Sequence, residues 1–294
     1  RRRTTGRKAA LAATVLGAGY LALGWAAAAR LTSRARPPYA EPPPPGYAGL
    51  RLRASDGLGI GAWWRAPEGE TRAVVVLAHG NGASRAHLVG FAEPLVAAGC
   101  AVLLLTLRAH GDSDGEANDI GLSARHDVEA GVRHAQATLP GTPVGVLGLS
   151  LGAAAAVFAA ESLGDAVDAY VLIGPYADLR LAVRRRTERY LPPVLGELAY
   201  GALLTGGRLA LPDVDRIRPA LAARGIPASA RVLVIAGEAD DRAPPSDARA
   251  IADGVPQARV ATVPGMGHED LGQVPTSAAW AEVLGVLLPR NTGP

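Results

Sequence analysis

The chain reads as an α/β protein: a mostly parallel, eight-stranded sheet with helices on both faces, preceded by one apolar helix of membrane-spanning length. Three observations predict this. Apolar runs of buried-strand length recur at residues 73–77, 100–106, 143–149, 169–173, 232–235 and 258–263. Helical patterns near 84–98, 123–139, 151–163, 213–223, 246–252 and 277–288 separate or follow them, and continuous Val/Ile/Leu strands between helices mean a sheet covered on both sides. Residues 9–29 form a stretch of 21 positions without a charge.

That stretch is long enough to cross a hydrocarbon core as a helix. Arg1, Arg2, Arg3, Arg7 and Lys8 precede it, and Arg30, Arg34 and Arg36 follow. A cleavable signal peptide has a shorter apolar core of roughly 7–15 residues, so the length favours an uncleaved anchor over a cleaved signal or a soluble alanine-rich helix. The stronger positive charge on the N-terminal side places that end in the cytoplasm and the rest of a single-pass protein on the extracytoplasmic side, or secreted if the segment is cleaved. Three arginines on the far side soften the asymmetry. The chain then divides into a basic tail and anchor (1–36), a Pro-rich spacer (37–46) that would hold the next domain off the bilayer, and the α/β domain (47–294).

Composition narrows the partners. The net charge is +3, but residues 1–36 hold eight basic residues and no acid, which leaves 22 basic against 27 acidic residues, or −5, for the rest. Such a domain has no broad phosphate-binding face, so nucleic acid is excluded as a partner. Cys100 is the single cysteine, which rules out an internal disulfide, and it opens an apolar strand as a small buried hydrophobe.

The α/β domain opens with a hairpin, 50–54 and 58–66, turning at Asp56-Gly57. Its most informative segment is the strand at 143–149, which passes through Gly148-Leu149-Ser150-Leu151-Gly152 directly into a helix. A serine on so sharp a turn has its hydroxyl pushed out at the end of the sheet, with glycines leaving room for neighbouring backbone. Gly111-Asp112-Ser113-Asp114-Gly115 has the same spacing, but no apolar helix follows it. Context therefore selects Ser150. After the strand at 169–173, the segment 176–212 is longer than one crossover needs and predicts a small helical lid. Leu179, Val183, Arg186 and Tyr190 share one face there, and Arg184-Arg185-Arg186 suits either a solvated face or an anionic substrate or lipid headgroup.

A serine hydroxyl needs a base, and the base needs an acid to orient it. Asp240 and Asp241 follow one late strand, and His268 follows the next. Of six histidines only His268 lies after Ser150, and the chain order Ser, Asp, His is that of the strand–turn–helix hydrolases. The oxyanion of the tetrahedral intermediate needs backbone donors. Leu151 N–H supplies one. The loop His79-Gly80-Asn81-Gly82 supplies the other, through Asn81 with Gly82 as fallback, while His79 bonds neighbouring loops.

With these residues the chain resembles the α/β-hydrolase superfamily, within the serine aminopeptidase S33-like and Bem46-like group of membrane-anchored hydrolases. The resemblance rests on His79-Gly80-Asn81-Gly82, the segment Arg108 to Ser113, Gly148 to Gly152, Gly237-Glu238-Ala239-Asp240 with Pro244, and Gly267-His268. It implies Asp240 rather than Asp241 as the acid, and a structural Ser113. In the usual Asp-x-Arg-Gly-x-Gly-x-Ser segment, Thr106 and Ala109 here replace the Asp and the first Gly, which puts the packing of that loop in question. The implied reaction is cleavage of carboxylic esters, or of thioesters or amides, in a small-molecule or lipid-like acyl substrate. No metal cluster or phosphate-cradling loop appears, so no cofactor is expected. A silent binding or scaffold domain at the membrane, and an acyltransferase or perhydrolase, are the alternatives.

Overall fold

Alternation of side chains along a strand explains why the apolar runs are unbroken. In the computed structural model, Val74, Val76, Leu103, Leu105, Val146, Leu172 and Val234 face one layer, and Val75, Leu77, Val102, Leu104, Leu147, Val171 and Leu233 face the other. These five strands bury both faces, so neither set can be polar, whereas the outer run at 258–263 exposes Arg259, Val260 and Thr262. The structure describes residues 2–211 and 213–289, without the side chains of 2–6, 9 and 10. The side chains of Arg1, Arg2 and Arg3, Pro212 at the expected end of the lid, and residues 290–294 lie outside it.

The strands are β1 (Ala48–Arg53), β2 (Gly59–Arg65), β3 (Ala73–Ala78), β4 (Cys100–Leu105), β5 (Val144–Leu149), β6 (Ala169–Ile173), β7 (Arg231–Gly237) and β8 (Ala258–Val263). They form one sheet in the order β1-β2-β4-β3-β5-β6-β7-β8. β2 runs antiparallel to β1 and β4, and the remaining neighbours are parallel. The helices are α1 (Arg2–Leu31), α2 (Val89–Ala97), α3 (Arg125–Thr138), α4 (Leu151–Leu163), α5 (Leu179–Tyr190), α6 (Pro193–Ala210), α7 (Pro219–Ala222), α8 (Pro245–Ala252) and α9 (Trp280–Leu287). α3, α4 and α8 pack on one face of the sheet through Val128, Val132, Ala155 and Ile251. α2 and α9 cover the other through Phe91, Leu95, Val283 and Leu287.

Some helices are shorter than the periodicity predicts. The stretch 84–98 begins as a 3₁₀ turn, Arg85–Leu88, before α2. The stretch 213–223 splits into the 3₁₀ turn Val214–Arg216 and α7, because Arg218 precedes Pro219 and is pushed to φ −136° and ψ 78°.

The chain forms two compact units: residues 34–178 with 218–294, and residues 1–33 with 179–217. The first holds the sheet. The Pro-rich stretch lies against it rather than standing off as a spacer. The Glu41 carboxylate accepts from the hydroxyls of Ser84 and of Thr106 (3.1 Å), and its carbonyl accepts from Arg85 Nη2 (2.7 Å) and Trp63 Nε1 (3.3 Å). Arg34, whose side chain is 5% exposed, donates to the carbonyls of Gly111 (3.2 Å), Ser113 and Gly115 (2.9 Å). Cys100 is buried at the start of β4, where burial pushes its thiol up to about 11 and keeps it protonated.

The second unit joins α1 to α5 and α6. Tyr20 Oη donates to the Leu198 carbonyl at 2.8 Å. A Cβ at Gly24 would strike the backbone of Ala202, and one at Gly206 the backbone of Gly24, so the two helices cross at a contact only small residues permit.

Candidate active site

Four loops at the carboxyl ends of parallel strands build the site, which is where an open α/β sheet leaves a crevice. The first is the turn from β5 into α4. Ser150 sits there at φ +49° and ψ −108°, a conformation that an L-residue adopts only under constraint. Its amide donates to the Ile173 carbonyl of β6 at 2.8 Å, which pins the turn to the neighbouring strand. A Cβ on Gly148 would lie 2.5 Å from the Gly152 carbonyl, and one on Gly152 would strike the Ala78 carbonyl. Both flanking positions therefore require glycine.

The loop after β7 supplies Asp240, and the loop after β8 supplies His268. Asp240 Oδ1 accepts the amides of Arg242 (2.9 Å) and Ala243 (2.8 Å), which fixes the carboxylate and leaves Oδ2 for another donor. That donor is His268 Nδ1, at 2.7 Å. On the other side of the ring, Nε2 lies 3.0 Å from Ser150 Oγ. The Asp240 side chain is fully buried and the His268 side chain is 15% exposed, so the pair meets solvent only through the histidine. With Nδ1 donating to the carboxylate, Nε2 is the acceptor for the serine proton. Asp241, the neighbouring acid, is exposed. The Arg242 guanidinium pairs with Glu269 and ties the two loops together beside the histidine.

The fourth loop follows β3. The Gly82 amide donates to His110 Nε2 at 3.1 Å, so it is already committed. The Asn81 amide is the remaining candidate from this loop; Leu151 N–H lies in the first turn of α4, where the helix offers no acceptor. The Asn81 side-chain oxygen accepts from Asn118 Nδ2 at 2.7 Å, and Asn118 Oδ1 accepts the Ile120 amide at 3.1 Å. Tyr176 Oη then donates to the Ile120 carbonyl at 2.6 Å. Neither Asn118 nor Tyr176 carries a motif that would have marked it; only the fold brings them to this loop.

His79 donates from Nδ1 to the Gly80 carbonyl (2.7 Å) and accepts the Leu107 amide at Nε2 (3.0 Å). Burial drives its pKa down to about 3, so the ring is a neutral link between loops and no base. Ser113 is equally structural: its hydroxyl donates to the Thr106 carbonyl (2.5 Å) and accepts the Gly61 amide (2.8 Å). Thr106 Oγ1 accepts from Arg85 (3.2 Å) where an aspartate is usual, and Ala109 takes the left-handed conformation, φ +59°, where glycine is usual. Arg108 clamps this loop by bonding Asp127 (2.7 Å) and Asp56 (2.6 Å). Burial opposes its charge, but the two carboxylates outweigh that and hold its pKa above the usual guanidinium range. Among the described residues no cluster of His, Cys, Asp and Glu is placed to hold a metal.

Known proteins resemble this chain in sequence and in fold. A family model described as serine aminopeptidase, S33, covers residues 69–216, half of the chain. The uncharacterized protein Rv2307c of Mycobacterium tuberculosis H37Rv is 29% identical over 224 residues, which cover 74% of this chain and 71% of the relative. Among solved structures, the esterase Pf2001 of Pyrococcus furiosus superposes with a TM-score of 0.68 at 20% identity, covering 86% of this chain and 97% of its own. Est1E of Butyrivibrio proteoclasticus, solved with ferulic acid, gives a TM-score of 0.60 at 20% identity over 81% of this chain and 98% of its own. The eight-stranded sheet with its antiparallel β2 is thus the α/β-hydrolase fold, and the chain belongs to the serine aminopeptidase S33 family.

Proposed function

We propose that the chain is a membrane-anchored serine hydrolase that cleaves carboxylic esters through an acyl-Ser150 intermediate. The observation that carries the reading is the hydrogen-bonded line from Ser150 Oγ to His268 Nε2 (3.0 Å) and from His268 Nδ1 to Asp240 (2.7 Å). His268 takes the Ser150 proton as Oγ attacks the acyl carbon. Asp240 holds the tautomer and stabilises the imidazolium. The Asn81 and Leu151 amides meet the developing oxyanion. Collapse of the tetrahedral intermediate breaks the ester C–O bond, and His268 returns its proton to the leaving alcohol. Water, deprotonated by the same ring, then releases the acid and restores Ser150.

Esters come first because the structurally similar Pf2001 is described as an esterase, while the family's description, serine aminopeptidase, points to amides. Helix α1 serves as the anchor in this reading, since Leu11–Leu31 is long and apolar enough to cross a bilayer and is largely exposed. The test is labelling of the detergent-solubilised protein with a fluorophosphonate probe. Wild type is labelled and Ser150→Ala is not; equal labelling of both refutes the assignment. Turnover of p-nitrophenyl esters of increasing acyl length, beside aminoacyl p-nitroanilides, then separates ester from amide chemistry.

A further inference from the structure

The exposed apolar surface of this protein is concentrated in one place. Of the large apolar side chains exposed among the described residues, only Tyr39, Leu221 and Val260 belong to the unit that holds the sheet. The others lie on α1, on α5 and α6, and at Leu191 between those two. Val194 is 73% exposed and Leu209 65%, with Leu195 and Leu198 between them along the same helix. A water-facing insertion does not leave a row of leucines bare.

Charges in this unit are arranged to match. α6 carries two ionised side chains, and both have counterions within the unit. Glu197 accepts from Arg184 Nη2 at 2.6 Å, and Arg208 Nε lies 3.2 Å from Asp215. α5 carries Arg180, Arg184, Arg185, Arg186 and Arg189 against the single acid Glu188; Arg184 pairs with Glu188 and Glu197 and Arg180 with Asp215, and the helix keeps an excess of positive charge. An apolar helix with neutralised charges beside a strongly cationic one is the pairing expected where acyl chains meet anionic headgroups. The contact through Gly24, Ala202 and Gly206 makes this surface continuous with α1.

We propose that α5 and α6 form a second membrane-contacting element, packed along α1 in the bilayer. Val194, Leu195 and Leu198 lie against acyl chains, and the α5 arginines meet anionic phospholipid headgroups. The proposal rests on the reading of α1 as a membrane helix but not on the hydrolase chemistry.

The test uses the full chain, with Cys100 replaced by alanine, in nanodiscs of phosphatidylcholine and phosphatidylglycerol. An environment-sensitive fluorophore is placed at Leu195→Cys, at Leu16→Cys in α1 and at Glu68→Cys as a water-exposed control, and lipids carrying nitroxide on the acyl chain serve as quenchers. Positions 16 and 195 are expected to be quenched several-fold more than position 68. Quenching at 16 but not at 195 overturns the proposal and leaves the anchor intact. No quenching at 16 overturns both. Disulfide cross-linking of Leu195→Cys between copies, without lipid quenching, assigns the surface to self-association instead. Replacing Arg185 and Arg186 with glutamine should lower the preference for phosphatidylglycerol over phosphatidylcholine quenchers by about fivefold per arginine. An unchanged preference, with an unchanged circular-dichroism melt, removes the headgroup role. Fluorophosphonate labelling of the same samples reads the hydrolase assignment separately.

Discussion

The side-chain amide of Asn118 donates to the side-chain oxygen of Asn81 at 2.7 Å, and so holds the residue proposed to offer its backbone N–H to the oxyanion. Asn118 touches no reacting atom in the proposed mechanism and acts by positioning. Losing one oxyanion donor outright lowers kcat by about 10²–10³-fold, so loosening one should cost about tenfold in Asn118→Ala. KM should hardly change, because the oxyanion exists only in the transition state. Steady-state kinetics on an aryl ester would show this split; a rise in KM with kcat intact would place Asn118 in substrate binding.

The two adjacent acids should behave differently. Asp240 is buried against His268 and Asp241 is exposed. Asp240→Asn keeps the shape but favours the wrong tautomer, and should lower kcat by about 10⁴-fold. Asp241→Asn should leave it unchanged. The reverse pattern, measured on protein with normal melting curves, would reassign the acid.

Ala109 stands at φ +59° inside the loop clamped by Arg108, where a Cβ meets its own carbonyl. Ala109→Gly should therefore raise stability by about 1 kcal/mol, less the extra backbone entropy of the unfolded glycine. Denaturant unfolding with an unchanged slope would register the gain, and a lower midpoint would show that the alanine methyl packs better than its backbone suffers.

Stability should also fall in mild acid. Burial holds His79 near 3, well below its ordinary 6.5. Between those two values the unfolded chain binds a proton that the folded chain does not. The His79 contribution is therefore intact above about 6.5, and is lost progressively as the pH falls towards 3, by about 2 kcal/mol at pH 5. His110, lowered mainly by burial, acts in the same direction. His79→Gln should be less stable at neutral pH but show a flatter decline between neutral pH and pH 5. Parallel declines in the two proteins would exclude His79 as the source.

Much of this architecture is legible in the chain because it is local or periodic. Five of the six parallel strands show as unbroken apolar runs, β8 is interrupted by Arg259 and Thr262, and the turn at Ser150 shows as glycines between a strand and a helix. For the candidate triad, chain order singled out His268 after Ser150, while the choice of Asp240 over Asp241 came from the family resemblance. What stays illegible is carried by long-range contacts. Nothing near Asn118 points to Asn81, 37 residues away, and nothing in α1 announces that Gly24 meets Gly206. The break at Pro219 had a local signal, since the residue before a proline resists helix, but the apolar periodicity around it outweighed that signal.

Arg34 has a practical consequence for anyone cutting the chain. Its guanidinium fills acceptors on three carbonyls of the loop from Gly111 to Gly115, and Glu41 a few residues on braces Ser84 and Arg85. A soluble fragment trimmed at the prolines would strip out part of the body it was meant to liberate, leaving those carbonyls bare beneath the loop that Ser113 anchors. A fragment beginning at residue 34 keeps them satisfied. The natural seam is the peptide bond between Ser33 and Arg34.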